Sequence, residues 1–483
     1  MLATTVPDDH DGFRDALASV KTDGRRRWIY ARQPAGPFYR ARTVVSWILL
    51  GVLFAAPFVR IGGQPLILMN VIDRRFVFFG VVFWPQDFYL VAILALTGLV
   101  TLMLATVTIG RVWCGWFCPQ TIFMEMLFRK LEYLIDGSAE QQLRRDRARE
   151  AGARLGVRDV ARRVLKQVLF FALSFAIANL FLSYIIGTDA LTAIMTDPPQ
   201  RHLIGLTAIT IFSLLFYGVF ARFREQACTF ACPYGRVMSA LQDARTVMVT
   251  YDWRRGEPRS RVTAAAGATA GDCVDCGKCV TVCPTGIDIR NGIQLECVNC
   301  TACIDACDAV MQRVHRPTGL IRLTSHDAVR TGRSTWLTAR VKAYAAVWTA
   351  LAGLLLILLA RWPDIDVLIL RQPGTLAAAV GADEVANFYN VQVINRTRRA
   401  QHLEYRVTSP VDARVTPLGP IGLARPQELV DSRLLLTMPT RGLTGPATPI
   451  VFEVRAEGRV VDTIRSSFID PRGGSTASNG ITP

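Results

Sequence analysis

Five apolar stretches, at 43–59, 88–109, 168–186, 203–220 and 341–359, punctuate a chain that is otherwise mixed or strongly polar. Each is near the roughly 20 residues that cross a bilayer as a helix. The first is short and needs its flanks. Trp47, Tyr89, Tyr184, Tyr217, Trp348 and Trp362 sit in or beside these stretches, where interfacial aromatic residues gather. Beyond Trp362 the period changes. Short runs rich in Val, Tyr, Phe and Thr at 385–394, 401–408, 433–438, 449–454 and 459–468 are broken by Gly, Pro and Asn, the pattern of a β-sandwich of about a hundred residues. The expected fold is a multi-pass α-helical membrane protein with five transmembrane helices, an inserted α+β domain and a C-terminal all-β sandwich.

The spacing of the elements predicts five regions. They are a tail at 1–42, a four-helix membrane domain at 43–235, a domain at 236–335, the fifth span at 336–362 and the sandwich at 363–483. Within 43–235 the chain repeats itself. Each half is two apolar spans, then a C-x3-C-P motif, then an amphipathic stretch, 121–135 in the first half and 234–247 in the second.

Composition fits a lipid bilayer as the main surroundings: 51% of residues are hydrophobic and the mean hydropathy is +0.27. The net charge of +16 would suit nucleic acid, but its distribution suits a membrane surface better. Arg25, Arg26, Arg27, Arg40 and Arg42 precede the first span, and Arg144, Arg145, Arg147, Arg149, Arg162 and Arg163 follow the second, whereas 187–202 holds only Arg201. By the positive-inside rule the tail and the 236–335 domain are cytoplasmic and the sandwich extracytoplasmic. No nucleic-acid partner is expected. Nor is a cleavable signal peptide, because some forty largely polar residues precede the first span.

All twelve cysteines fall into four motifs. Two are dense: Cys273-Val-Asp-Cys276-Gly-Lys-Cys279-Val-Thr-Val-Cys283-Pro284 and Cys297-Val-Asn-Cys300-Thr-Ala-Cys303-Ile-Asp-Ala-Cys307. Three thiolates at C-x2-C-x2-C spacing wrap one corner of a cubane, and the following cysteine reaches the neighbouring cluster. The spacing therefore assigns Cys273, Cys276, Cys279 and Cys307 to one 4Fe-4S cluster, and Cys297, Cys300, Cys303 and Cys283 to a second, as in a two-cluster ferredoxin. Zinc knuckles or a disulfide framework are the competing assignments, but zinc sites usually take two CxxC ends rather than four-cysteine runs.

The other four cysteines belong to the repeat, in Arg111-Val-Trp-Cys114-Gly-Trp-Phe-Cys118-Pro119 and Arg224-Glu-Gln-Ala-Cys228-Thr-Phe-Ala-Cys232-Pro233. Proline suits the first turn of a helix and excludes its predecessor from the α conformation. Cys118 and Cys232 should sit at breaks with new helices after them. Repeats packed side by side would bring four sulfurs together at the cytoplasmic face. Such a set suits Cu(I), zinc or an iron–sulfur unit, or cycles through a disulfide; alternatively the thiols only pack. Met103, Met124, Met126 and His202 are further soft or imidazole donors, and Lys278 and Arg290 lie beside the cluster motifs. The sandwich at 363–483 has no cysteine, and His402 is its one histidine.

These residues resemble the cytochrome c oxidase accessory proteins of the CcoG/FixG/RdxA family. The resemblance runs through Phe83-Trp84-Pro85-Gln86-Asp87-Phe88, Gly110-Arg111-Val112-Trp113-Cys114-Gly115, Cys118-Pro119-Gln120-Thr121, Cys232-Pro233-Tyr234, Cys283-Pro284-Thr285-Gly286-Ile287-Asp288-Ile289-Arg290 and Ala302-Cys303-Ile304-Asp305-Ala306-Cys307-Asp308, and covers roughly 30–330. It implies a polyferredoxin of the bacterial inner membrane whose tail is immunoglobulin-like and periplasmic. It also implies a cupric reductase that passes electrons through two 4Fe-4S clusters to turn Cu(II) into Cu(I) for assembly of cbb3-type oxidase. Copper would then be substrate or transient ligand, with Cys114, Cys118, Cys228 and Cys232 in its handling, and a copper transporter or oxidase assembly factors as partners. Two other classes fit the motifs: a quinol-linked electron-transfer subunit of a respiratory reductase, which in its relatives lacks the fifth span and sandwich, and a redox sensor or scaffold. A homo-oligomer is compatible with the sequence, and no residue identifies the electron donor.

Overall fold

The computed structural model describes residues 18–20, 23, 25–72, 74–152, 156–260, 271–372, 378–380, 383–419 and 422–470. Much of the expected N-terminal tail and residues 261–270 of the inserted domain lie outside the described residues. The chain divides into two compact units, one of 1–59, 67–74 and 85–356, the other of 60–66, 75–84 and 357–483.

In the first unit and at its edge, five helices are long and apolar enough to cross a membrane: Pro37–Ala55, Pro85–Ile109, Val157–Ile186, Leu203–Phe223 and Ala339–Ala360. The first starts well before residue 43. Pro37 occupies its first turn, where a missing N–H costs nothing, and Arg40 and Arg42 are therefore helical rather than part of a tail. The third starts at Val157 rather than at 168, with Asp159 in its first turn complementing the helix dipole. The segment 187–202 is also more ordered than a plain loop, holding the helix Thr188–Thr196.

The stretch after each C-x3-C-P is helical, but unequally. After the first motif the chain is wound from Pro119 to Asp136, through Pro119–Ile122, a wider turn at Phe123–Phe128, and Arg129–Asp136. This run supplies the aromatic core. Phe128 stacks on Phe220 at 4.6 Å and meets Phe170 edge-on at 5.0 Å, while Phe123 meets Phe220 at 5.9 Å. After the second motif the helix is only Pro233–Leu241, not the whole of 234–247. The Asp243 carboxylate accepts from the Arg245 and Thr246 N–H groups, a local turn that competes with helix and sends the chain into a strand. That strand, Met248–Tyr251, pairs antiparallel with Ile321–Thr324 and closes the base of the cysteine-rich domain, whose longest helix is Ala302–Arg313.

The second unit is a two-sheet sandwich. One sheet runs Arg414–Pro417, Leu429–Pro439, Glu384–Asn395, Ile365–Arg371, with Ala378–Val380 also on Glu384–Asn395; the other runs Leu423–Ala424, Gln401–Ser409, Ala447–Ala456, Arg459–Ile469. Inward residues at alternate positions, among them Tyr389, Val391, Leu434, Leu436, Phe452 and Phe468, form its core. The Tyr389 hydroxyl crosses between the sheets to donate to Ser467 O at 2.9 Å. All five expected strands are present. Ile365–Arg371 was not expected, because its apolar run follows so closely on the fifth span. The hairpin Arg75–Phe78/Val81–Phe83 also joins this unit, with Gln427 Nε2 donating to Gly80 O at 2.8 Å.

Candidate functional site

The two C-x2-C-x2-C loops are conformational copies of each other. Asp275 and Gly277 in the first, and Asn299 and Thr301 in the second, take φ values of 46°, 63°, 54° and 64°. Left-handed residues at matched positions turn successive backbone N–H groups to one side, making the concavity that anionic iron–sulfur groups occupy. Asn and Gly adopt this conformation at little cost, but β-branched Thr301 does not. Short helices begin directly after Gly277 and Thr301, at Lys278–Thr281 and Ala302–Arg313, and carry Cys279 and Cys303.

Two cavities result. One is lined by Cys273, Cys276, Cys279 and Cys307. The other is lined by Cys283, Cys297, Cys300 and Cys303, with Cys279 at its edge. The thiols influence one another electrostatically in the same two sets. Cys307 feels Cys279, Cys273 and Cys276; Cys303 feels Cys300, Cys297 and Cys283, and Cys279 beyond them. Burial pushes Cys279, Cys297 and Cys307 up to about 12 and Cys300 up to about 11. Burial thus favours the protonated thiols, and a metal group that binds there displaces their protons. Among the described residues no three His, Cys, Asp or Glu side chains stand close enough to hold one ion. Sulfurs spread round a cavity fit a multinuclear cluster, which occupies the space between them, better than single zinc ions. A cluster bound there supplies one-electron transfer.

The C-x3-C-P motifs fold as a second matched pair. Cys118 N–H donates five residues back to Trp113 O at 2.8 Å, and Cys232 N–H to Ala227 O at 2.9 Å, so each motif is one wide π-type turn, a feature frequent at functional sites. Proline then drives Cys118 and Cys232 into extended conformation, with ψ of 124° and 110°, and opens the next helix. The Cys232 Sγ accepts from Gly235 N–H at 3.4 Å. Burial raises Cys118 despite the N–H groups of Thr121 and Gln120, and raises Cys228 to about 12, with Cys118, Cys114 and Cys232 adding to the rise. The four thiols thus share one neighbourhood, as the repeat implied, without closing round a single ion.

The first of these turns lies directly on the second cysteine loop. A Cβ on Gly115 would stand 2.4 Å from Val298 O and 3.0 Å from Cys300 N. Trp116 Nε1 donates to Asn299 O at 3.3 Å, and Asn299 Nδ2 donates to Ile109 O at 3.2 Å. Arg42, 1% exposed, donates through Nε to Gly115 O at 2.7 Å. Arg111 Nη1 reaches Leu295 O at 2.5 Å and Ser239 Oγ at 3.2 Å, tying both repeats to the cysteine-rich domain. Its charge bears on both Cys228 and Cys297. Arg224, 2% exposed, makes a two-pronged ion pair with Glu132 at 3.0 and 2.7 Å.

Sequence reasoning counted Arg42 as membrane-surface charge, read Arg111 and Arg224 only as part of the cysteine motifs, and gave Asn299 no role. The available signal was a charge inside or immediately beside an apolar run, which is costly unless paired. Of the further donors, Met124 and Met126 are buried in the aromatic core. His202 pairs with Asp197 at 3.0 Å, and His402 is exposed on its strand. Lys278 opens the helix of Cys279. Arg290 is held by Asp288 at 2.7 Å and Asp275 at 2.6 Å.

Three family models match. They are described as a 4Fe-4S dicluster domain, over residues 223–326; a 4Fe-4S binding domain, over 91–136; and an IG-like fold at the C-terminal of FixG, over 355–471. Nitrogen fixation protein FixG of Rhizobium meliloti is 34% identical over 415 residues, 77% of each chain. Protein RdxA of Cereibacter sphaeroides is 33% identical over 467 residues, 91% of this chain and 97% of that protein. The chain belongs to the FixG/RdxA family. Protein RdxB of the same organism, 34% identical over 80% of this chain and 83% of its own length, extends the relation. This FixG/RdxA-family chain is thus a membrane iron–sulfur electron-transfer protein with an immunoglobulin-like C-terminal region.

Proposed function

We propose that this protein is a cupric reductase, giving one electron to each Cu(II) and releasing Cu(I) for assembly of cbb3-type cytochrome c oxidase. Cys273, Cys276, Cys279 and Cys307 hold one 4Fe-4S cluster; Cys283, Cys297, Cys300 and Cys303 hold the other. Cys114, Cys118, Cys228 and Cys232 receive the copper. The observation that carries this reading is the contact of the first C-x3-C-P turn with the Cys297–Cys300 loop, where Gly115 leaves no space for even a methyl group. That contact supports the second cysteine set as the one from which an electron leaves. Thiolates favour Cu(I) over Cu(II), so the same four sulfurs that take the substrate also favour its reduction. Arg42 and Arg111 fix the two sides of the contact through their hydrogen bonds to Gly115 O and Leu295 O.

The basic residues support a bacterial inner-membrane protein with the clusters on the cytoplasmic side and the sandwich in the periplasm. A copper transporter or oxidase assembly factor is then the partner for the product, and the sandwich a docking module. The decisive experiment adds Cu(II) anaerobically to dithionite-reduced parent and Cys114→Ser/Cys118→Ser protein, freed of excess dithionite, with a Cu(I) chelator as reporter. Unchanged cluster spectra with sharply reduced Cu(I) formation are expected of the variant. Equal Cu(I) formation would return these cysteines to a packing role, and oxidation of a quinol instead would favour the respiratory-subunit reading.

A further inference from the structure

The third spanning helix is too long for the membrane it crosses. Its 30 residues reach roughly 45 Å at about 1.5 Å per residue, against a hydrocarbon core of about 30 Å. The surplus is at its start, where Arg158, Arg162, Arg163 and Lys166 precede the uncharged, largely apolar run from Val168. These turns therefore lie in the headgroup layer, on the same side as the C-x3-C-P turns.

A cleft of about 390 Å³ opens there, lined on this helix by Arg162, Arg163 and Lys166 and across from it by Arg145, Arg149 and Arg222. Its acids are already engaged. Glu132 pairs with Arg224 at 2.7 Å, Asp136 with Lys166 at 2.6 Å, Asp146 with Arg149 at 3.2 Å and with the Tyr30 hydroxyl, and Asp159 with Arg162 at 3.8 Å. Among the described residues, the exposed side chains of Arg163 and Arg222 have neither a hydrogen bond nor an ion pair. The inner end is apolar, with Phe170 and Ala221 in its lining. On the membrane side of Arg163 the same helix bears an exposed stripe of Val164, Val168 and Phe171, whose spacing puts them on one helix face.

We propose that this cleft binds an anionic phospholipid, its phosphate between Arg163 and Arg222 and an acyl chain along the exposed stripe. Two unpaired cations over an apolar inner end match a headgroup joined to a hydrocarbon tail; a free phosphate ester would leave the stripe bare. The inference is independent of what the clusters reduce. It is tested by titrating the full chain in neutral detergent with phosphatidylglycerol or phosphatidylcholine and counting bound lipid by native mass spectrometry. The parent should retain phosphatidylglycerol selectively. Arg163→Gln/Arg222→Gln should bind it about 30-fold more weakly, from two lost headgroup charges, and Arg147→Gln/Arg158→Gln, outside the cleft, should bind as the parent. Equal loss in both double variants would reduce the effect to general surface charge and overturn the proposal. So would displacement by inorganic phosphate at matched concentration, or equal retention of the two lipids.

Discussion

Replacing Gly115 by alanine tests the contact on which the functional reading depends. The new methyl would sit 2.4 Å from Val298 O, 3.0 Å from Cys300 N and 3.1 Å from Asn299 C. All three are backbone atoms, which cannot swing aside as a side chain would. Ordinary contact begins at 3.4 Å, so the two loops must separate by about 1 Å, enough to disturb the Trp116 to Asn299 and Arg42 to Gly115 hydrogen bonds. Overpacking of this kind costs about 1–3 kcal/mol. Thermal unfolding should shift down by several degrees, the EPR signal of the second cluster should change shape, and Cu(I) should appear several-fold more slowly after mixing reduced protein with Cu(II). Gly98→Ala is the control. Its Cβ would meet nothing within 4 Å, and an alanine inside a helix gains up to about 1 kcal/mol over glycine. A Gly115→Ala protein with parental stability, spectra and rate would show that the turn does not rest on the cysteine loop and would remove the proposed route.

Two further outcomes are expected. Anaerobically purified protein should contain about eight irons with matching acid-labile sulfide, and Cys276→Ala should lose about half the cluster signal; zinc at similar stoichiometry would refute the cubane assignment, and about twelve irons would place a third cluster at the C-x3-C-P turns. A reporter fused after residue 483 should behave as extracytoplasmic and one inserted near residue 266 as cytoplasmic, because five spans put the ends on opposite sides; both on one side would remove a span.

The membrane spans, the cysteine loops and the sandwich were legible because each rests on a local signal: an apolar run, a ligand spacing, an alternation. Helix ends were less so. Pro37 moved the first helix towards the N-terminus and Asp243 cut the helix after Cys232 short, and both effects depend on turn chemistry that periodicity does not register. The hairpin at 75–83 was missed because its sandwich partner, Gln427, is far away in the chain. The same reason hid Arg42 and Asn299, whose roles exist only once a membrane helix, a C-x3-C-P turn and a cysteine loop have come together.

The repeat itself is symmetric in local structure and asymmetric in its surroundings. Both motifs make the same five-residue turn and end at an extended cysteine before proline, so the duplicated sequence reproduces its backbone. What differs is the tether. The first turn is fastened to the cysteine loop through Gly115, Trp116 and Arg42. The second follows directly on Arg224, anchored by its buried pair with Glu132, where loss of one partner would strand a charge at a cost of about 3–5 kcal/mol. Arg111 joins the two by lying close to Gly235 while bonding to Leu295 O. On the proposed route the first copy lies next to the electron's source and the second adds its thiols to the same neighbourhood, so the two halves act together rather than as alternatives.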